Sequence, residues 1–383
     1  MSGKLSRRSG AVDPFIVMDV MASAAEKEAA GETVVHLEVG QPSTPAPKGA
    51  LQAARAALDS DRIGYVAALG IPALRERIAR HYREVYGVDV PAERVIVTTG
   101  SSGGFPLVFL ASFDPGDRVA LAAPGYPAYR NILAALNLEA VDLPTSAADR
   151  FQPTVAALEK AGKIDGLILA SPSNPTGTMV NRAELKALAD WCTGNGVRLI
   201  SDEIYHGIVY EGETHSAVEV SDSAIVVNSF SKYFSMTGWR VGWLVVPLDL
   251  VRPIERLTQN FFISVPTLSQ HAALAAFECR DELDGHVRRY RTNRDLLMAG
   301  LPTAGFDRLT PAQGAFYIYA DVSHLTNDSR EFCSRMLRET GVATTPGVDF
   351  DRARGTGTLR ISFAGSTAEM EEAARRLKAW RRT

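Results

Sequence analysis

Two short runs, 224–228 (AIVVN) and 241–246 (VGWLVV), are continuously apolar and β-branched, which is the pattern of strands buried on both faces. Similar runs recur at 95–99 (VIVTT), 118–124 (RVALAAP), 165–171 (DGLILAS) and 198–204 (RLISDEI). Helical segments separate them. Ile71, Leu74, Ile78 and Tyr82 fall on one helical stripe, a helix follows at 182–194, and a Gly/Ser turn (Gly100 to Gly104) opens another at 105–112. Alternation of this kind predicts an α/β fold with a mostly parallel sheet. Before it, Asp13 as N-cap, Pro14 at the first position and Gly31 as a stop predict a helix. A short strand at 34–39 and a helix at 50–58 follow. Beyond the sheet, 248–262 and 266–277 read as helices, and a long charged helix at 280–299 bridges to a tail of different character. That tail reads as strand 314–323, amphipathic helix 329–340, strand 359–363 and helix 367–380, a smaller α+β unit. The expected division is 1–48 as arm and part of the small domain, 49–285 as the large domain and 286–383 as the small one.

Composition narrows the function. A chain of 383 residues that is 46% hydrophobic can bury a sizeable core. A net charge of −3 and a pI near 6.2 leave no basic footprint for nucleic acid. Cys192, Cys279 and Cys333 are scattered without metal-ligand spacing, so no metal is expected and a reducing cytoplasm fits. No apolar run is long enough to span a bilayer, and the basic N-terminus lacks the apolar core of a signal peptide. Residues up to about Asp13 are expected to form a flexible or partner-contacting arm.

Candidate chemistry gathers at the ends of the predicted strands. Ser229, Ser231 and Lys232 follow one strand and Arg240 precedes the next. An amine can form a Schiff base with an aldehyde, and a guanidinium can grip phosphate oxygens with its planar fork. Gly100, Ser101 and Ser102 open a helix whose unpaired N–H groups favour an anion. Tyr126 lies just past a strand end, where an aromatic ring can stack on a flat ligand. Prolines on either side of Asn174, in PSNPTG, restrain its backbone. Asp202 is a carboxylate inside an apolar strand and needs a cationic partner such as a protonated pyridine nitrogen. Alternation along that strand places Ile204 on the same face as Asp202. Arg360 likewise interrupts an apolar strand, in GTLRISFAG.

The stretch SFSKYFSMTGWRVGW resembles the cofactor-lysine signature of the class I/II pyridoxal-phosphate aminotransferases of fold type I, and matching segments run from about Gly40 to Arg360. The resemblance implies a seven-stranded large domain, a smaller domain and a homodimer with shared active sites. It also assigns roles. Lys232 would bind pyridoxal phosphate, Asp202 its ring nitrogen, and Asn174 and Tyr205 its ring oxygen. Tyr126 would stack on the ring, while Gly100, Ser101, Ser102, Ser229 and Arg240 hold the phosphate. YVAALGIPALR resembles the segment whose tyrosine, here Tyr65, reaches the phosphate in the neighbouring subunit. Gly40, Asn174 and Arg360 would meet the substrate, with Arg360 on its α-carboxylate. Two departures bear on specificity. The family's P-G-x-x-F-G run reads PGVDFDRARG here, and Ser102 stands where an aspartate-specific branch carries a lysine. Phe15, Ile16, Phe261 and Phe262 are expected to line the pocket, favouring a neutral or aromatic amino donor over aspartate. β-Elimination, decarboxylation and a non-enzymatic cofactor-sensing regulator are the competing readings. DEIY after the strand leans to transamination, and the arm is too short for a DNA-binding domain.

Overall fold

Seven strands form the central sheet of the computed structural model, which describes residues 6–60 and 63–380. From one edge they are Val95–Thr98, Gly242–Val245, Ile225–Ser229, Arg198–Asp202, Gly166–Ala170, Arg118–Ala123 and Glu139–Pro144. Gly242–Val245 runs antiparallel to both neighbours and every other pairing is parallel. The continuous apolar runs have a direct cause: each strand feeds two cores. Val97, Leu167 and Leu169 pack on one face with Leu74, Ile78, Tyr82 and Trp243. Ile96, Ile168 and Ile200 pack on the other with Phe105 and Phe109. A period of two thus puts an apolar side chain on each side of the sheet.

The second layer system is smaller. A four-stranded antiparallel sheet is ordered Thr345–Pro346, Thr358–Ser362, Tyr317–Asp321, Arg308–Leu309. The helices Arg280–Thr303, Ser329–Thr340 and Thr367–Trp380 cover it through Leu297, Leu301, Phe332, Met336, Met370 and Leu377. Val35–His36 pairs in parallel with Val342–Ala343, and the N-terminal helix Ile16–Ala29 packs Ala24 against Leu337, so the arm joins this layer.

Several expectations shift. The N-terminal helix starts at Ile16, not Pro14, because its cap comes from far away in the chain. The Ile16 amide donates to Asp349 Oδ1 at 3.3 Å. Asp13 is engaged elsewhere, accepting from Asn131 Nδ2 at 3.1 Å through its carbonyl and pairing with Arg352 through its carboxylate. The described part of the arm is therefore docked, with a single 3₁₀ turn at Arg7–Gly10, and residues 1–5 lie outside the described residues. Ser101–Ser112 begins its helix four residues earlier than expected, so Gly100 alone forms the turn. The Asp202 strand ends at that residue, and Ile204 lies beyond it rather than in register with it. The edge strand Glu139–Pro144 went unread because only Leu143 of its six residues is buried.

Gly242 shows how closely the sheet approaches the helix that starts at Ser101. A Cβ there would sit 2.7 Å from the Asn228 carbonyl oxygen and 2.9 Å from the Gly100 carbonyl carbon, both backbone atoms. Gly194, the last residue of the helix Arg182–Gly194, has nothing within 4 Å of such a Cβ. Gly242→Ala is therefore expected to cost about 1–3 kcal/mol in urea unfolding. Gly194→Ala is expected to leave stability unchanged or raise it by up to about 1 kcal/mol. Equal effects at the two positions would contradict the close approach.

Candidate active site

A cavity of about 540 Å³ opens over the carboxyl ends of the central strands, where open α/β sheets place ligands. Ten of the thirteen residues to which the resemblance assigns a role line it. Gly100 and Ser229 stand behind its wall, and Tyr65 is elsewhere.

Lys232 follows the strand Ile225–Ser229, and its Nζ donates to the Gly40 carbonyl at 2.6 Å. Burial lowers its pKa to about 8, helped by the positive fields of Arg360 and Arg240 and opposed by Asp202. Asp202 ends the neighbouring strand and is only 4% exposed. Its Oδ1 accepts from the Ile204 amide at 3.1 Å and its Oδ2 from the Tyr129 hydroxyl. Burial raises its pKa to about 6, while these hydrogen bonds and Lys232 draw it back toward ionisation. The floor of the cavity thus holds one carboxylate, fixed through both oxygens, and one amine of lowered basicity. Tyr129 was missed in the sequence, although it stands one helical turn after Tyr126 in PGYPAYR.

One end of the cavity is suited to an anion. The helix Ser101–Ser112 presents its N-terminus there, where helical geometry provides no internal acceptor for the first N–H groups. Gly100 has φ 73°, and a Cβ on it would meet Arg240 Nη2 at 2.7 Å, so glycine lets the guanidinium close on the turn. Arg240 itself is left-handed (φ 51°, ψ 53°), with Nη1 donating to the Thr237 carbonyl at 2.9 Å. Ser229 contacts the cavity only through Ser231, hydroxyl to hydroxyl at 2.9 Å.

The other end carries Arg360, which is 4% exposed. Its Nη1 donates to Asn174 Oδ1 at 3.0 Å, and its Nη2 to the Glu38 carbonyl and to Thr345 Oγ1. Its Nε is buried with no partner among the described residues. Between the two ends, Tyr205 and Tyr317 meet hydroxyl to hydroxyl at 2.7 Å. Tyr317, a lining residue from the strand Tyr317–Asp321, was also missed, because GAFYIYADVS reads as an ordinary core strand.

The remaining expectations divide. Tyr65 is 83% exposed and sits beside 264–268, outside this cavity. Phe15 does line the cavity, at 6.0 Å from the Tyr126 ring, and Ile204 lines it too. Ile16 does not line it. Phe261 and Phe262 are exposed at the end of the helix Leu248–Phe261, away from the cavity. Val17, Met18 and Met21 take their place, one face of the N-terminal helix that a later helix start brings into view. Among the described residues no group of His, Cys, Asp or Glu could hold a metal ion.

Comparison with known proteins agrees with this geometry. The family profile described as aminotransferase class I and II matches residues 32–377. A valine–pyruvate aminotransferase of Mycobacterium tuberculosis is 52% identical, with 99% of each chain covered. A (5-formylfuran-3-yl)methyl phosphate transaminase of Methanocaldococcus jannaschii is 35% identical over 98% of each chain. The crystal structure of an aminotransferase from Mycobacterium tuberculosis superposes with a TM-score of 0.97 at 52% identity, covering 99% of both chains.

Enzymes of this family use pyridoxal phosphate, and the residues present fit it. An amine with lowered pKa suits an aldehyde, a carboxylate held by two donors suits a pyridinium, and a glycine-relieved helix start beside Arg240 suits a phosphate. The chain belongs to the class I and II aminotransferases, pyridoxal-phosphate enzymes of fold type I.

Proposed function

We propose that this aminotransferase takes a neutral amino acid, aliphatic or aromatic, as donor and a 2-oxo acid as acceptor. The observation that carries the reading is the charge of the cavity wall. Among its lining residues the cations are Lys232, Arg240 and Arg360, and each has a separate use. Phe15, Val17, Met18, Met21 and Ile132 supply the rest of the wall near the N-terminal helix. A second carboxylate would find no further cation among these lining residues and would lose its hydration. The name of the 52% identical relative, a valine–pyruvate enzyme, supports the same choice.

When bound, pyridoxal phosphate supplies an electron-withdrawing ring that makes the Cα–H of an amino acid acidic. The protein's part is to hold and to move protons. Lys232 Nζ, whose proton burial makes easier to release than an ordinary lysine's, takes the proton from Cα and gives one back to complete the transfer. Asp202, clamped by Tyr129 and the Ile204 amide, keeps a positive charge on the ring nitrogen. Asn174 and Tyr205 bond the ring oxygen and Tyr126 covers the ring. Gly100, Ser101, Ser102, Ser229 and Arg240 take the phosphate. Arg360 binds the α-carboxylate, supported by its unpaired Nε, with Gly40 beside it. Tyr65, with its exposure, acts in the site of a second copy of this chain, and exposed Leu58, Phe261 and Ile263 suit that homodimer contact. The division at 49–285 and 286–383 and a cytoplasmic setting belong to the same proposal. No helix among the described residues is long and apolar enough to cross a membrane.

Two outcomes test these assignments. Capture of added cofactor by the apo protein, followed by its visible absorbance, should quicken with rising pH with a midpoint near pH 8. An ordinary lysine would have its midpoint above pH 10. Because Asp202 favours the ammonium form, Asp202→Asn should move that midpoint downward; an upward move would contradict the arrangement. In a donor screen read as 2-oxo acid released, valine, alanine or phenylalanine should exceed aspartate at least tenfold in kcat/KM. An aspartate preference would overturn the neutral-donor reading.

A further inference from the structure

Tyr317 has none of the roles given above, yet two of them converge on it. It begins the strand Tyr317–Asp321 and is 1% exposed. Antiparallel pairing sets it opposite Ser362 and sets Tyr319 opposite Arg360, so Tyr317 and Arg360 are diagonal neighbours on one face. The Arg360 guanidinium carbon stands 4.4 Å from the centroid of the Tyr317 ring. The other end of the side chain, its hydroxyl, is 2.7 Å from that of Tyr205. Space for this hydroxyl exists because residue 40 is glycine. A Cβ there would overlap the Tyr317 oxygen and lie 3.0 Å from its Cζ, although the Gly40 backbone is one any residue can adopt.

We propose that Tyr317 is a positioning residue whose hydroxyl donates to Tyr205 while its ring carries Arg360, so that one side chain sets both the cofactor-oxygen contact and the carboxylate anchor. The inference rests on the roles proposed for Tyr205 and Arg360. A phenol that accepts a hydrogen bond donates a stronger one in turn, and in a buried pair the gain is not diluted by water. A guanidinium over a ring face is held in orientation by attraction to the ring, which leaves Nε aimed for an incoming carboxylate. The groups that face Tyr205 are few. Lys232 Nζ is 5.8 Å from its ring centroid, Phe316 meets it edge-on at 5.4 Å, and Arg360 acts on it through its charge.

The two halves separate by substitution in the cofactor-loaded enzyme. Tyr317→Phe removes the hydroxyl and keeps the ring, and Tyr317→Leu removes both. The pH midpoint of the lysine-bound cofactor's visible absorbance belongs to the lysine nitrogen, and hydrogen bonds to the neighbouring ring oxygen lower it. Tyr205→Phe should raise it, and Tyr317→Phe should raise it less, by roughly 0.3–1 unit. The double variant should match Tyr205→Phe alone. Calorimetric binding of 3-methylbutanoate reports the anchor. Tyr317→Phe should stay within about twofold of the parent, and Tyr317→Leu should bind at least about threefold more weakly. A midpoint unmoved in Tyr317→Phe but moved in Tyr205→Phe would overturn the proposal. So would parent-like binding in Tyr317→Leu. An unmoved midpoint in Tyr205→Phe would instead remove the Tyr205 role on which the proposal stands.

Discussion

A carboxylate and an amine buried on one floor, at the ends of adjacent parallel strands, constrain everything around them. Low polarity pushes both toward their neutral forms, Asp202 to about 6 and Lys232 to about 8. Left alone, such groups would lose their charge, and with it their chemistry. The surrounding fold supplies the compensation: a phenol and an amide on Asp202, and the Gly40 carbonyl on Lys232. Nothing near the surface would need that support or produce those shifts.

This demand explains why two cores meet where they do. The large sheet brings Asp202, Lys232 and the turn at Gly100, but the Gly40 carbonyl, Arg360 and Tyr317 come from the chain packed with the smaller sheet. Contacts across the junction are specific: Arg360 to Asn174, Tyr317 to Tyr205, Lys232 to Gly40. A relative motion of the two layers would therefore act on the Arg360 guanidinium and the Lys232 amine together. The N-terminal helix adds the apolar wall, held at its start by Asp349 from the far end of the chain.

Legibility in the sequence followed how local the cause was. Strands buried on both faces announce themselves as apolar runs, and a charge inside such a run, as at Asp202 and Arg360, marks a site because it needs a partner. PSNPTG and the lysine stretch were legible through their resemblance to the family's motifs, since a lone lysine after a strand reads as an ordinary loop residue. Tyr129 and Tyr317 were not, because an aromatic in a core-like segment looks the same whether or not its hydroxyl reaches a functional group. The start of the first helix was misplaced because its cap lies 333 residues away. Phe261 and Phe262 were misassigned on composition alone, and Met18 and Met21 replaced them once the helix phase was known.

The account stands on the covalent attachment of the cofactor to one amine. Borohydride reduction of the loaded protein, followed by peptide mapping by mass spectrometry, reads that attachment directly. The predicted result is one reduced cofactor group, the cofactor less the water lost in joining the amine and plus two hydrogens, on the peptide containing Lys232. A label on another lysine, or no label with the protein fully loaded, would contradict it.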